Sequence, residues 1–206
     1  LRQLGAMTMV VADAGNDRRF QIAGDVKPED GLSDAQWEVV GHSLRDLASR
    51  VGGHGTRLAF HSHAGTFVES RSELDRLCAV TRPQDVGLCL DTGHLAFGGA
   101  DPVEVVRACA TRINHVHLKD VRMSALQAVR AEHAGFQEAV TRGVFAELGK
   151  GDIDLGAVRA CLLDAGYDGW VIVEQDIRLA SAEGASDALL ARARRNRQAV
   201  KELFGA

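Results

Sequence analysis

Short apolar runs and amphipathic stretches alternate along the whole chain. Residues 6–12 (AMTMVVA) form an apolar run of strand type, and a polar, glycine-rich loop follows over 13–31. Ser33 then opens a helix, with Gln36 completing a capping box. Trp37, Val40, Leu44, Leu47 and Val51 recur at helical spacing until Gly52 and Gly53 stop it. A second strand over 57–60 delivers His61, Ser62 and His63. Ser70 with Glu73 makes another capping box, and Leu74, Leu77 and Cys78 face inward up to Pro83.

The third strand covers 86–90. Asp101 as N-cap and Pro102 at the first helical position start the next helix, with Val105, Val106 and Cys109 as its buried stripe. After a fourth strand over 113–118 comes an insertion, 121–152, whose Ala-rich part from Ser124 to Thr141 reads as helical. A helix from Leu155 to Ala165, stopped by Gly166, precedes the strand 170–173, and a basic helix over 185–204 ends the chain. Five strands, each followed by a helix, imply a parallel sheet with right-handed crossovers. Five units do not close an eight-stranded barrel, which takes about 250 residues. Either the sheet is open and doubly wound, or three units of a barrel lie outside the sequence. The chain starts at Leu1 with Arg2 to Leu4 reading as a helix end capped by Gly5, which favours the second option.

Composition adds limits. With 206 residues and 46% hydrophobic content the chain reads as one domain with a real core. A net charge of −4 and a pI near 6.1 argue against a nucleic acid or an anionic membrane as partner. No apolar run approaches the roughly 18 residues that span a bilayer, and no signal segment opens the chain. A cytoplasmic location is the expectation. Cys78, Cys89, Cys109 and Cys161 form no CxxC pair and read as buried free thiols.

The chemistry lies at the strand ends. Asp91, Thr92, Gly93 and His94 follow the third strand, His115 and His117 alternate along the fourth before Lys119 and Asp120, and Glu174 ends the fifth. Acidic and imidazole groups at the C-terminal ends of parallel strands converge on one mouth, where a strand–helix barrel assembles its active site. Oxygen ligands with imidazoles suit a divalent ion such as Mn, Co, Mg or Zn. Each residue also has a plainer reading. Asp91 could cap the turn that follows, and Glu69 could serve the first turn of its helix. Lys119 could be a loop lysine, although its setting favours a cation against substrate oxygens. His115 and His117 share one face of their strand, and a pair of histidines on a barrel's inner face is hard to explain as packing. Glu174 would be costly to bury without a counter-charge. Gln175 and Asp176 read as loop residues, 149–152 as a turn, and His42, His54 and His133 as solvated.

The runs HSHAGTFVE, LDTGHLAFGGADPVEVV, INHVHLKDV and GDIDLGAVRACLLDAGYDGWVIVEQD together resemble the inosose (2-keto-myo-inositol) dehydratases, which belong to the xylose-isomerase-like TIM barrels. The resemblance covers nearly the whole chain. It implies a (β/α)8 barrel of which the sequence holds strands four to eight, as a single domain over 1–206. It implies a divalent ion, Mn or Co ahead of Mg or Zn, held by Asp91, His117, Glu174 and a fourth ligand. Relatives carry a Glu at the fifth strand's end, where this chain has His61. Glu69 is taken as that fourth ligand, with His61 as its rival. The catalytic candidates are His61, His63 and Lys119, with His94, His115 and Asp120 on the substrate side.

The implied reaction is dehydration of a cyclic polyhydroxy ketone in inositol catabolism. A ketose isomerase or epimerase working through an enediolate is the enzymatic alternative. A truncated, non-catalytic domain that binds a metal or a partner is the alternative of another class. The expected partner is a small polyol ketone or sugar, with a homo-oligomer compatible.

Overall fold

Alternation of inward small or polar residues with outward apolar ones builds a curled, all-parallel sheet in the computed structural model, which describes residues 5–179 and 185–205. Its strands are β1 (Thr8–Val11), β2 (Arg57–His61), β3 (Val86–Asp91), β4 (Ile113–Leu118) and β7 (Val171–Val173). They lie in the order β1-β2-β3-β4-β7 without a reversal. A doubly wound sheet reverses its strand order. Here each right-handed crossover steps the same way and therefore puts its helix on the same face. The sheet also curls. β1 and β4 approach within 8 Å between Cα atoms, whereas a flat sheet would hold strands three places apart at about 14 Å. The open, doubly wound expectation is thereby set aside in favour of a barrel sector.

The helices are α1 (Asp17–Gln21), α2 (Asp34–Gly52), α3 (Arg71–Val80), α4 (Thr92–Phe97), α5 (Pro102–Cys109), α6 (Met123–Ala131), α7 (Gly135–Thr141), α8 (Leu155–Asp164) and α9 (Ala185–Phe204). The expected capping boxes at Ser33 and Ser70 are both formed, and Asp101 accepts from Val103 N–H at the start of α5. Leu58, Phe60, Val86, Leu88, Leu90, Val116 and Leu118 join Leu74, Leu77, Val106, Val158 and Leu162 in one apolar core between sheet and helices. The opposite, inner face of the sheet carries Ala59, His61, Gly87, Cys89, Asp91, His115, His117 and Glu174, in register with Val10 and Ile172 at its edges and with Asn114 against Gly87. No helix among the described residues is long and apolar enough to cross a membrane.

Three expectations change. The loop at 13–31 contains α1 and a 3-10 turn at Pro28–Asp30. α1 is a single short helix tied down by the buried Arg19, which donates to Thr66 O (2.7 Å), Asp30 O (3.2 Å) and Glu73 Oε2 (3.0 Å). The helical stretch from Ser124 to Thr141 is two helices, broken where His133 takes a φ of +52°. And the insertion 121–152 holds more than its helical part. β5 (Asp120–Val121) pairs antiparallel with β6 (Phe145–Ala146), and Val121, Leu126, Val129, Phe136 and Phe145 form a second core with Ala64, Ala96 and Phe97. The insertion is a packed wall over the strand ends. The expected helix end at 2–4 lies outside the described residues.

Candidate metal centre

The C-terminal strand ends bring four side chains into one cluster. His61, Asp91, His117 and Glu174 each offer a ligand atom, and these atoms all lie within 4.8 Å of one another. Register explains it. His61 stands beside Cys89 on β3 and Asp91 beside His117 on β4, while Glu174 follows the last residue of β7 and its N–H donates to Leu118 O (3.0 Å). A cavity of about 1050 Å³ lies at the other end of the sheet, around Arg57, Gly87 and Asn114. It is remote from this cluster, at the end of a βα barrel that does not carry the chemistry.

Asp91 caps a helix with one oxygen and turns the other to the cluster. Oδ1 accepts from His94 N–H (2.8 Å) as the N-cap of α4, while Oδ2 faces the cluster, 3.3 Å from His61 Nε2 and 3.7 Å from His117 Nδ1. Burial would raise its pKa, but the charges of His94 and Lys119 and the neighbouring rings of His117 and His61 hold it well below the carboxylate range. It is a buried carboxylate. His117 Nδ1 lies 2.7 Å from Glu174 Oε2, yet neither atom meets hydrogen-bond geometry with any partner among the described residues. Burial pulls His117 down, and the closeness of Asp91, Cys89 and Glu174 outweighs it and raises the ring to about 11. Glu174 is lowered by His117 and by Lys119 against its burial. Two imidazoles and two carboxylates facing one space, with two orphaned buried atoms among them, fit a divalent cation.

A second layer lies behind them. Lys119 is fully buried, and its Nζ donates to Asp176 Oδ2 (2.8 Å), sits 2.7 Å from His94 Nε2 and lies 3.6 and 3.5 Å from Asp91 Oδ2 and Glu174 Oε1. Burial would lower its pKa, but Asp91, Asp176 and Glu174 raise it, so it stays an ammonium. Thr92 braces it, its Oγ1 donating to Lys119 O (2.6 Å) and accepting from Lys119 N–H (2.9 Å). The lysine stem runs over the bare Cα of Gly93, where a Cβ would stand 2.4 Å from Lys119 Cγ. His63 stands at the open side, half-buried, its ring 3.7 Å from that of His94 and 5.4 Å from that of Phe136. Its Nδ1 lies 2.8 Å from Ala64 O. A carbonyl can only accept, so the proton is on Nδ1 and the lone pair on Nε2. Burial lowers its pKa, which keeps the ring neutral.

Three sequence expectations are corrected. Glu69 is not in the cluster; its oxygens accept from Gly24 N–H and Gly65 N–H (both 2.5 Å), so it pins the loop after α1 to the loop carrying His63. His61 takes the place expected of it. Asp120 does not face the mouth, because Gly149, Gly151 and Ile153 N–H groups occupy its oxygens and fold the turn before α8. His94 is buried with its nitrogens against Ala64 N (3.3 Å) and Lys119 Nζ, so it supports the lysine instead of meeting substrate. His115 lies one step below the cluster, its ring 5.2 Å from that of His117. Gln175 accepts from Asn196 Nδ2 (3.1 Å) of α9, in keeping with a structural residue. Asp176 and Thr92 hold Lys119, contacts the sequence did not announce. The signal for Asp176 was its spacing, two residues beyond Glu174.

Glu69 yields a test. Burial pushes it up from 4.5 to about 7, against the pull of the Gly65 and Gly24 N–H donors. Between those values the unfolded chain has lost this proton while the folded one keeps it, so the fold loses stability as pH rises through the window and no more above it. The unfolding free energy of the parent, minus that of Glu69→Gln, is expected to fall by about 3 kcal/mol across it. Urea unfolding at several pH values measures this, and a flat difference would refute it.

Comparison with known proteins agrees with the fold. The family model for xylose isomerase-like TIM barrels matches residues 1–195. The rhizopine catabolism protein MocC of Rhizobium meliloti is 43% identical over 176 residues, covering 85% of this chain and 54% of that protein. The inosose dehydratase of Geobacillus kaustophilus (strain HTA426) is 40% identical over 178 residues, covering 85% and 58%. That of Geobacillus thermodenitrificans (strain NG80-2) is 38% identical over 208 residues, covering 100% and 67%. The chain thus spans little more than half the length of the first two. In fold it is similar to the IOLI protein with a bound zinc atom, with a TM-score of 0.68 at 19% identity over 100% of this chain and 66% of that one.

Proposed function

Because the chain belongs to the xylose isomerase-like TIM-barrel family, we propose that its cluster is the metal-holding half of a dehydratase for a cyclic polyhydroxy ketone such as 2-keto-myo-inositol. The five parallel strands are then strands four to eight of the eight-stranded barrel. The observation that carries the reading is the convergence of His61, Asp91, His117 and Glu174 beside a neutral, carbonyl-anchored His63. Similarity to proteins named inosose dehydratase supports the substrate class.

His61, Asp91, His117 and Glu174 hold the divalent ion, Mn or Co ahead of Mg or Zn. When bound it polarises the ketone and stabilises negative charge on its oxygen. The chain's own groups do the proton work. Nε2 of His63 takes the proton next to the carbonyl and passes it to the departing β-hydroxyl, which leaves as water. That balances without a co-reactant. Lys119, kept cationic, offsets the charge of Asp91, Glu174 and Asp176, and the wall of Phe136 and Phe145 keeps bulk water from one side of the site.

An epimerase would use the same groups and return the proton to carbon. Turnover of 2-keto-myo-inositol by the metal-loaded protein, followed by dione absorbance, is expected and should fall at least about a hundredfold in His63→Ala. Exchange of the carbon-bound proton without loss of water would favour epimerisation. Absence of both metal and turnover on inososes or ketoses would overturn the proposal.

A further inference from the structure

The inner face of β3 carries a second donor that the proposed function leaves unused. Cys89 lies two residues before Asp91 on the same face, about 6–7 Å further down the strand. It is buried, 2% exposed, and stands in register with His61 on β2. The sulfur of Cys89 and the ring nitrogens of His61 and His117 lie within 4.8 Å of one another, as a group distinct from the one that contains Asp91 and Glu174. The cluster is therefore two overlapping ligand sets. They share two imidazoles. One set adds two carboxylates toward the mouth, and the other adds a thiol toward the interior of the sheet.

Those sets differ in softness. Carboxylate oxygens suit Mn2+ and Mg2+, whereas a thiolate with imidazoles suits Zn2+ and other soft or borderline ions. The residues flanking Cys89 on that face are Ala59 and Gly87, and the Asn114 side chain lies against Gly87. We propose that His61, Cys89 and His117 form an alternative site for a thiophilic divalent ion, Zn2+ or Cd2+, seated below the position taken by Mn2+. Binding there converts the thiol to a thiolate and releases its proton to solvent. Such an ion draws both histidines away from the carboxylates, so the soft and hard ions exclude each other. The inference rests on the cluster being a metal centre, and it adds the means by which zinc or cadmium displaces the working ion.

The experiment uses Cd2+, whose bond to a thiolate gives an ultraviolet charge-transfer band that oxygen and nitrogen ligands do not. Adding Cd2+ to the intact protein should produce the band, and Mn2+ should suppress it in competition. Cys89→Ser and Cys89→Ala should each abolish it and weaken Cd2+ binding at least about tenfold, with Mn2+ binding unchanged. Cys78→Ser and Cys109→Ser should leave it intact. Two Cys89 variants guard against one failing to fold, as circular dichroism will report. A band that survives both variants, or no band in the parent, overturns the inference whatever Mn2+ does. Loss of Mn2+ binding alone, with the Cys89-dependent band present, would instead count against the proposed function and leave the thiophilic site standing.

Discussion

Asp91→Asn is expected to fold with α4 in place yet to bind Mn2+ at least about a hundredfold more weakly than the parent. The substitution separates two roles of one side chain. An asparagine oxygen can still accept from His94 N–H, and Asn caps helices about as well as Asp. The other position turns from an anionic oxygen into an amide donor aimed at His61 Nε2 and at the Lys119 ammonium. A cation then loses a charged ligand and meets a misdirected N–H group. The folding cost should stay below the ~3–5 kcal/mol of a broken buried pair, because Asp176 and Glu174 still accompany Lys119. Titration calorimetry reads the affinity and urea unfolding the stability. Unchanged Mn2+ affinity would remove Asp91 from the ligand set.

Lys119→Met should show the opposite split, with metal binding kept or strengthened and turnover reduced at least about a hundredfold. The variant leaves Asp91, Glu174 and Asp176 without their shared cation, so the apo fold loses about 3–5 kcal/mol. In the parent, Lys119 helps to depress Asp91 and Glu174. Carboxylates with depressed folded values stabilise the fold above their unfolded pKa, and that stability is lost as pH falls through the folded value. Without the lysine those folded values rise, so acid unfolding should begin at higher pH. A divalent ion would replace the missing charge and restore most of the stability. Equal Mn2+ affinity with normal turnover would show that the lysine is structural only.

The sequence made the strands and most helices legible because their signals are local. The boxes at Ser33 and Ser70 and the Asp101–Pro102 start need only neighbours in sequence. α1 was missed because a long-range anchor, Arg19, holds it and no apolar period marks it. α4 was missed because all six of its residues are buried, which leaves no amphipathic stripe to read. The site divides in the same way. Asp91 and Asp120 look alike at the ends of their strands, and only amides about thirty residues away, at Gly149 and Gly151, turn Asp120 into a loop anchor. Glu69 is decided by Gly24 and Gly65 in the same fashion. Strand-end position reveals where chemistry gathers. Which carboxylate is free for it depends on contacts that sequence order does not display.

The close approach of Gly93 to the Lys119 stem also constrains how this site can change over generations. A Cβ at 93 would stand 2.4 Å from Lys119 Cγ and 2.7 Å from its Cβ, so even a truncated side chain at 119 leaves the conflict. The two positions, twenty-six apart in sequence, therefore behave as one heritable unit. A lineage that keeps the lysine keeps the glycine, and one that loses the lysine still keeps it unless residue 119 also gives up its Cβ.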